Sequence, residues 1–374
     1  MAYVEAIAKH SEQFRDLCKK KSMISGLKVI ELATVLAGPH VGMFFAELGA
    51  EVIKVENPKN PDVTRSWKLP LEPVESPISA YFCAVNYKKK YVQLDLKSEQ
   101  GHQNVLELIR TADVVLMNFK FGDQAKLKLS DELLLELNPK LIIGKISGFG
   151  EDSDRVAYDL ILQAETGFMS MNGEPDGNPV KMPVALIDVL AAHHLKEGIL
   201  VALLERMSTN RGRVVTVSLY DAAVSSLVNQ ASNYLMKRHV PLKMGSLHPN
   251  IAPYGEIFKT KDDKLVTFAI GSQTHFELLV KCIGAKHLIK DKRFTTNQLR
   301  VENRTVLQAE LQAFISTFYV KDLLEDMHAL HIPCAEIKNL KQLFKEPEAQ
   351  RLVRAEKLHD KITKRVTSVA FKLS

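Results

Sequence analysis

The residues best suited to chemistry lie in the stretch RVAYDLILQAETGFMSMNGEPDGNP, from Arg155 to Pro179. Asp159 stands there just before an apolar run that breaks into a loop rich in Gly, Asn and Pro. A carboxylate at the edge of a buried segment can act as a nucleophile or as a general base. As a nucleophile it needs no separate base, because an ordinary Asp pKa of about 3.9 leaves it ionised at neutral pH. The alternative is that Asp159 caps a helix beginning near Leu160, a common role for Asp.

A carboxylate nucleophile requires an activated acyl group as its electrophile, and backbone N–H groups must point at the oxyanion that forms. Other reaction classes lack their motifs, because G-x-S-x-G, G-x-G-x-x-G and G-x-x-x-x-G-K-[ST] are all absent from the chain. A serine hydrolase of the α/β type is therefore not expected. The missing glycine fingerprint also argues against a nucleotide-dependent oxidoreductase.

Two adjacent histidines resemble a metal site but lack its motif. His193 and His194 lie inside the apolar stretch Val184–Met207, with Glu197 three residues after His194. H-E-x-x-H does not occur, so we expect packing or capping histidines and no metal. Four widely separated cysteines form no C-x-x-C pair and predict reduced thiols; they are Cys18, Cys83, Cys282 and Cys334.

The elements that must position Asp159 begin with LKVIELATVLAGPHVGMFFAELGAEVIKVENP, which starts at Leu27. An apolar run, a Gly-Pro break, a helical stretch and a second apolar run ending at Glu56 predict a β-α-β unit. Similar runs follow at Ala112–Phe119 and Lys140–Gly150. Strands that alternate with helices predict an α/β fold with a Rossmann-like, mostly parallel sheet covered on both faces.

The sequence changes character after the strand Val214–Ala223. Two short extended runs joined by KTKDDK precede a series of charged helical segments, which is typical of a smaller α+β domain. We predict a large domain from residues 1–222, a small domain from 223–331, and a return to the large domain over 332–374.

Composition restricts the classes of partner. The chain has 374 residues, of which 46% are hydrophobic and 25% charged, and no run approaches the roughly 18 apolar residues that span a bilayer. The first residues mix acids and bases and lack a secretory pattern, so we expect a cytoplasmic protein without a membrane partner. The net charge of +6 is spread along the chain, which suits a small polyanionic ligand and predicts no nucleic-acid partner.

Ordered blocks along the chain carry a resemblance to a known family. They include the segment from Leu27 quoted above, NYKKKYVQLDLKSEQG, ADVVLMNFKFG, AYDLILQAETGFMSMNGEPDGNPVK, RGRVVTVSLYDAA and HPNIAPYGEIFKT. From about Ser25 to Ser374 the chain resembles the class III CoA-transferases, the family of formyl-CoA transferase, carnitine CoA-transferase and the related α-methylacyl-CoA racemases. The resemblance implies a large Rossmann-like domain built from both chain ends, a small domain from the middle, and a homodimer of interlocked rings.

The resemblance also implies a reaction. Asp159 matches the family's catalytic aspartate, which attacks the thioester of a donor acyl-CoA to give a mixed anhydride. CoA thiolate opens the anhydride to an aspartyl-CoA thioester, and the acceptor carboxylate then takes over the CoA. The implied partners are acyl-CoA and small carboxylates, with coenzyme A as a substrate and no cofactor. The donor, succinyl-CoA or another small dicarboxyl-CoA, stays open, as does transfer between two carboxyls of one substrate.

Family position further assigns two sets of binding residues. An active-site lid corresponds to AIGSQ, with Gly271, Ser272 and Gln273. It has one glycine where formyl-CoA transferase has a glycine run, and an ordinary strand-to-helix turn is the alternative. The residues assigned to CoA are Val35, Ala37, Lys54, Lys88, Lys89, Lys90 and Lys120. Lys120 replaces an Arg common in the family and so loses bidentate geometry; for each lysine, a solvated surface role is the alternative.

The two alternatives to a transferase are an α-methylacyl-CoA racemase and a catalytically silent CoA-binding protein. The racemases typically place His before the aspartate and use a second His upstream, whereas Tyr158 precedes Asp159 here and KLSDELLLELNPK contains no histidine. Proton exchange at an α-carbon needs such a partner, so a transferase is favoured over a racemase. A catalytically silent CoA-binding protein is the other alternative, and the retained Asp159 argues against it.

His248 is expected to shape the entrance of the site. Gln163 and Glu165 follow Asp159 on the same expected helix, where their side chains either face the same cleft as Asp159 or serve only in helix packing.

Overall fold

A computed structural model describes residues 23–372 of the chain. Residues 1–22 and 373–374 lie outside the described residues, and so does Cys18. The described chain forms two compact units. The first comprises residues 23–166, 182–237 and 351–372, and the second comprises Gly167–Lys181 and Arg238–Gln350. These segments differ from the predicted boundaries, because the chain enters the second unit once before residue 222 and leaves it after residue 331.

The strands follow the chain in the order β1 (Lys28–Glu31), β2 (Glu51–Glu56), β3 (Lys90–Gln93), β4 (Val114–Met117), β5 (Ile142–Ser147), β6 (Arg213–Ser218), β7 (Tyr254–Lys259), β8 (Leu265–Ala269), β9 (Cys334–Glu336), β10 (Val353–Leu358) and β11 (Lys361–Val366). The helices are α1 (Ala37–Glu47), α2 (Ala80–Ala84), α3 (Glu99–Arg110), α4 (Asp123–Lys126), α5 (Asp131–Leu137), α6 (Asp159–Glu165), α7 (Phe168–Met171), α8 (Leu186–Thr209), α9 (Leu219–Ser225), α10 (Val228–Lys237), α11 (Gln273–Cys282), α12 (Asn297–Glu302), α13 (Arg304–Ile315), α14 (Val320–Ala329), α15 (Leu340–Leu343) and α16 (Pro347–Gln350). Short 3₁₀ helices span Met23–Gly26, Val63–Ser66 and Lys286–Ile289.

The first unit is built on a six-stranded sheet of order β3-β2-β1-β4-β5-β6, with every neighbouring pair parallel. The predicted Rossmann-like parallel sheet is confirmed. Strand β4 reads VVLM and is buried along its whole length, as expected when helices cover both faces of a parallel sheet. The chain runs from β1 outward to β3 and then returns to β4 beside β1, so the strand order reverses between β1 and β4.

Helix α8 lies against the sheet at close range. A Cβ atom added to Gly198 would meet Cγ1 of Val215, on β6, at 2.5 Å. Glycine therefore allows the helix backbone to approach the strand. The helix ends at Thr209, and the next residue, Asn210, has a left-handed φ of 55°, a common way to terminate a helix.

The second unit is the predicted smaller α+β domain. Its antiparallel sheet has the order β7-β8-β9. Phe258 and Phe268 of this sheet pack with Phe276 and Leu279 of α11 in one buried cluster. A separate antiparallel hairpin, β10 with β11, belongs to the first unit. No helix among residues 23–372 combines the length and apolar character that crossing a bilayer demands.

Candidate active site

Asp159 is half buried and is bound by the start of another helix. Its Oδ1 accepts the N–H of Ile187 at 2.7 Å and the N–H of Asp188 at 3.4 Å. Both N–H groups lie in the first turn of α8, where they have no partner within the helix. The positive end of the helix dipole faces the same carboxylate. The arrangement therefore fixes the position of the Asp159 carboxylate.

The capping interpretation of Asp159 is wrong for its own helix. α6 begins at Asp159, and its N-cap is Tyr158, without a side-chain cap. The N-cap of α8 is Ala185, which has no side chain able to accept a hydrogen bond. Asp159 supplies that acceptor from a distance of 28 residues in sequence, which no local pattern reveals.

Gln163 fixes the second oxygen of the carboxylate. It lies one turn after Asp159, is 1% exposed, and donates from Nε2 to Oδ2 of Asp159 at 2.6 Å. Its Oε1 accepts the N–H of Met182 at 2.8 Å, which sets the orientation of the amide. Glu165 instead pairs with Arg155 at 2.5 Å on the surface. Of the two residues considered from the sequence, only Gln163 contacts Asp159.

Two ionisable groups that the sequence analysis missed lie around Asp159. Asp188 is 9% exposed, and among residues 23–372 its carboxyl group has no hydrogen bond or ion pair. Burial, followed by the charge of Asp159, raises the pKa of Asp188 to about 7. Burial, followed by the charges of Asp188, Asp159 and Asp62, raises the pKa of Tyr81 to about 12. The sequence spacing of Tyr81 and Asp188 does not indicate a place near Asp159, because both residues lie in ordinary helical segments.

A cleft of about 310 Å³ opens at the carboxyl edge of the large sheet. It lies where the strand order reverses, between the loops that follow β1 and β4, the usual ligand position in an open α/β sheet. Its walls come from Thr34 and Val35 after β1, residues 118–120 after β4, and residues 145–148 at the end of β5. Tyr158 also lines the cleft, which places the residue before Asp159 in its wall.

Three cations border this cleft: Lys120, Lys145 and Arg155. Lys145 is bound by Asp131 at 2.5 Å and by Glu151. The guanidinium of Arg155 lies 3.8 Å from the ring centre of Phe149. Cationic groups suit phosphate oxygens, and Lys120 is the one of these three that has no carboxylate partner among residues 23–372, since Arg155 is paired with Glu165. Lys145 and Arg155 were not singled out from the sequence.

The residues assigned to CoA from the sequence fall into three groups. Val35 and Lys120 line the cleft, and Ala37 is buried in the first turn of α1 beside it. Lys88 and Lys90 are exposed at the amino end of β3, the opposite edge of the sheet, where Lys90 pairs with Glu51 at 2.5 Å. The structure does not bring these two lysines to the cleft.

Lys54 and Lys89 form the third group, and their side chains are fully buried. Lys54 Nζ lies 3.0 Å from both Glu31 and Asp62, and Lys89 Nζ lies 2.7 Å from Glu31. Direct contact with a CoA phosphate does not fit these positions, because both ammonium groups are buried and already bound: Lys54 by two carboxylates, and Lys89 by Glu31, the carbonyl of Pro39 and Oδ1 of Asn86. A surface role does not fit them either.

The predicted lid residues lie in the second unit, between β8 and α11. Ser272 caps α11 by accepting the N–H of His275 at 3.1 Å, and Gln273 accepts a hydrogen bond from the buried Arg300 at 2.9 Å. A Cβ added to Gly271 would have no neighbour within 4 Å. This geometry is that of a strand-to-helix turn, and a lid function remains a prediction. His248, also predicted to border the site, packs its ring 4.9 Å from that of Tyr254.

The paired histidines show no metal arrangement. His193 is exposed, with its ring 6.1 Å from that of His40, and His194 lies 3.8 Å from Glu197. No cluster of three or more metal-ligating side chains occurs in the part of the chain described, residues 23–372. In the same part, no hydrogen bond joins a histidine to Asp159.

The sequence profile described as CoA-transferase family III matches residues 24–374. A succinate–glutarate CoA-transferase of Agrobacterium fabrum is 39% identical over 347 residues, which cover 90% of this chain and 85% of that protein. A succinyl-CoA:glutarate CoA-transferase of Mus musculus is 34% identical over 334 residues, covering 88% and 76%.

Solved structures agree with the fold. The crystal structure of a CAIB/BAIF family protein from Brucella suis matches with a TM-score of 0.85 at 36% sequence identity. The match covers 95% of this chain and 93% of that chain.

Proposed function

The chain belongs to CoA-transferase family III and is a CoA-transferase, and on that premise we propose that it moves CoA from succinyl-CoA to glutarate or a dicarboxylate of similar length. The family resemblance read from the sequence is thereby confirmed. The choice of substrates is supported by the two similar proteins named for succinate and glutarate.

One observation supports Asp159 as the nucleophile: both oxygens of its carboxylate are held in fixed positions, one by the first turn of α8 and the other by Gln163. In the proposed cycle a carboxylate oxygen of Asp159 attacks the thioester carbonyl, the C–S bond breaks, and CoA leaves as thiolate. The products of this step are a mixed anhydride and CoA thiolate. The thiolate then attacks the Asp159 carbonyl carbon, which releases succinate and leaves CoA on Asp159 as a thioester.

The second half of the cycle repeats these steps with the acceptor. A glutarate carboxylate attacks the aspartyl thioester, CoA thiolate leaves, and the thiolate attacks the glutaryl carbonyl of the new anhydride. Glutaryl-CoA forms and Asp159 is regenerated. Coenzyme A is a substrate throughout, and the cycle requires no cofactor.

The groups that bind Asp159 at rest also suit the transition states. Whenever thiolate or carboxylate attacks the Asp159 carbonyl carbon, negative charge develops on one of its oxygens. The N–H of Ile187, 2.7 Å from Oδ1, is already aimed at that oxygen. Donors fixed in advance need no reorganisation as the charge forms.

The anhydride must react with thiolate before water reaches it. A thiolate held beside the anhydride can have an effective molarity of about 10⁵–10⁸ M. We place the CoA nucleotide in the cleft bordered by Lys120, Lys145 and Arg155, with Tyr158 linking the cleft to Asp159. Binding there anchors the thiolate end for both attacks.

We also propose a homodimer. Large apolar side chains on α8 and α10 are 64–76% exposed in the single chain; they are Leu204, Met207, Leu235 and Met236. Apolar surface of this kind marks contact sites between proteins. A second copy of the chain, in the interlocked arrangement that the sequence resemblance implies, accounts for it. Light scattering on the purified protein is expected to give the mass of two chains.

The deciding experiment is mass spectrometry after rapid mixing with succinyl-CoA. A CoA or succinyl adduct is expected on the peptide that contains Asp159, and it should be absent in Asp159→Ala. Asp152→Ala is the matched control, because Asp152 is exposed and lies on the same stretch of chain. An adduct that persists in Asp159→Ala would rule out the proposed nucleophile. Turnover without any adduct would rule out the covalent route.

A further inference from the structure

We infer that Asp62 is a positioning residue for CoA, acting through Ala33–Pro39, the turn that leads from β1 into the first residues of α1. Together with Lys54 and Lys89, it binds the backbone of that turn from the buried side, and the other side of the turn forms a wall of the cleft. The inference rests on the proposed placement of CoA in that cleft.

Three backbone atoms of the turn are bound by charged side chains. Lys54 Nζ donates to the carbonyl of Ala33 at 2.7 Å, and Lys89 Nζ donates to the carbonyl of Pro39 at 2.8 Å. Between them, the N–H of Val35 donates to the Asp62 carboxylate, at 3.2 Å to Oδ2 and 3.3 Å to Oδ1. The beginning, middle and end of the turn are therefore each fixed by a buried charge.

The charges balance one another within the protein. Glu31 binds both Lys54 and Lys89, and Asp62 binds Lys54, so two carboxylates face two ammonium groups. The side chains of all four are fully buried in these pairs. Burying a charge costs desolvation free energy, so buried charges occur in proteins where they are paired and hydrogen-bonded. The cluster, defined by Glu31, Lys54, Asp62 and Lys89, is thus a closed unit beneath the turn.

Helix α1 leaves space for this cluster. A Cβ atom added to Gly42 would lie 1.8 Å from Oε2 of Glu31. Any larger residue at this position would displace the carboxylate that both lysines share. Asp62 is itself held in place, because Thr64 donates to its Oδ1 from the backbone N–H at 3.0 Å and from the hydroxyl at 2.7 Å.

Val35 shows why the turn needs such support. Its φ is 71°, which is a strained conformation for a β-branched residue. Strain of this kind persists only where the surroundings enforce it. Asp62 binds the N–H of this strained residue, and Val35 lines the cleft. Loss of the carboxylate should let the turn relax and change the wall against which CoA packs.

The test is Asp62→Asn, with CoA affinity measured by titration calorimetry and with steady-state kinetics on succinyl-CoA. We expect the Kd of CoA and the KM of succinyl-CoA to rise about tenfold or more, since hydrogen bonds to charged groups are the stronger kind. The kcat at saturation should change by less than about threefold. Thr64→Val removes one bond to Asp62 with all charges intact, and should raise both constants by less.

Asp113→Asn is the matched control. Asp113 also binds a backbone N–H, that of Lys28 at 2.9 Å, and a cation, Arg206 at 2.9 Å, but at the amino edge of the sheet. Its replacement should lower the melting temperature without raising the Kd of CoA. If Asp62→Asn and Thr64→Val behave as Asp113→Asn does, the inference is wrong.

Val35→Gly separates positioning from general stability. Glycine adopts a φ near 71° without strain, so it depends less on Asp62. The rise in Kd caused by Asp62→Asn should therefore be smaller in the Val35→Gly background, a coupling that a double-mutant cycle measures. Equal rises in both backgrounds would contradict the inference. A wild-type protein that fails to bind CoA would overturn the proposed placement of CoA instead.

Discussion

Gln163 and Asp159 are joined at 2.6 Å through Nε2 and Oδ2, and Gln163 is itself oriented by the backbone N–H of Met182. Gln163→Ala is therefore expected to lower kcat about tenfold with little change in the KM of succinyl-CoA, because the carboxylate loses a fixed orientation. Quenched-flow measurement of adduct formation checks this. Gln100→Ala, at an exposed glutamine of α3, serves as control. A normal rate of adduct formation in Gln163→Ala would refute the role.

Asp188 predicts a pH dependence of stability. Its pKa is raised from 3.8 to about 7 in the folded protein. Between these values the folded state holds a proton that the unfolded state has released, so Asp188 lowers the free energy of unfolding as pH rises from about 4 to 7. The contribution is complete below pH 4 and lost above pH 7.

Asp188→Asn removes this dependence. The free energy of unfolding of the variant, relative to wild type, should rise by up to about 4 kcal/mol between pH 4 and 8. Urea unfolding of both proteins at several pH values measures the difference. A constant difference across this range would show that Asp188 titrates normally.

Adding one methyl group at Gly42 is expected to lower the stability of the fold. Gly42→Ala should destabilise the fold by about 1–3 kcal/mol, because the new Cβ overlaps Oε2 of Glu31. Gly26→Ala is the control, since its Cβ would have no neighbour within 4 Å. Thermal unfolding should give a clearly lower melting temperature for Gly42→Ala than for Gly26→Ala. Similar melting temperatures would show that the cluster tolerates rearrangement.

Replacement of Lys120 by arginine is expected to increase the affinity for CoA. Lys120→Arg supplies a planar, bidentate donor at the cleft and should lower the KM of succinyl-CoA several-fold. Lys59→Arg, at an exposed position outside the cleft, should leave it unchanged. An unaltered KM in Lys120→Arg would place the phosphates of CoA away from residue 120.

The sequence predicted the large sheet well because its signals are local. Buried runs such as VVLM of β4 and the Gly-Pro pair in the first turn of α1 depend only on neighbouring residues. The family blocks singled out Asp159 in the same way.

The roles of the lysines could not be predicted from local sequence signals. Lys54 and Lys89 are chemically identical to Lys88 and Lys90, and only long-range pairing with Glu31 and Asp62 buries the first two. Asp188 was missed for a similar reason, since its unusual pKa comes from burial next to Asp159. The unit boundaries were also shifted, because Gly167–Lys181 joins the second unit through contacts with residues distant in sequence, such as the bond from the N–H of Gly245 to the carbonyl of Gly173.

The division of the chain into alternating segments has a consequence for protein synthesis. The first unit requires the hairpin β10–β11 and the residues after it, where the N–H groups of Ser368 and Val369 bind Glu47 at 2.9 and 3.0 Å. A ribosome must therefore translate the whole second unit before the first can be completed. Chains interrupted in the second unit leave the end of α1 without its partner. Such nascent chains are natural clients for chaperones.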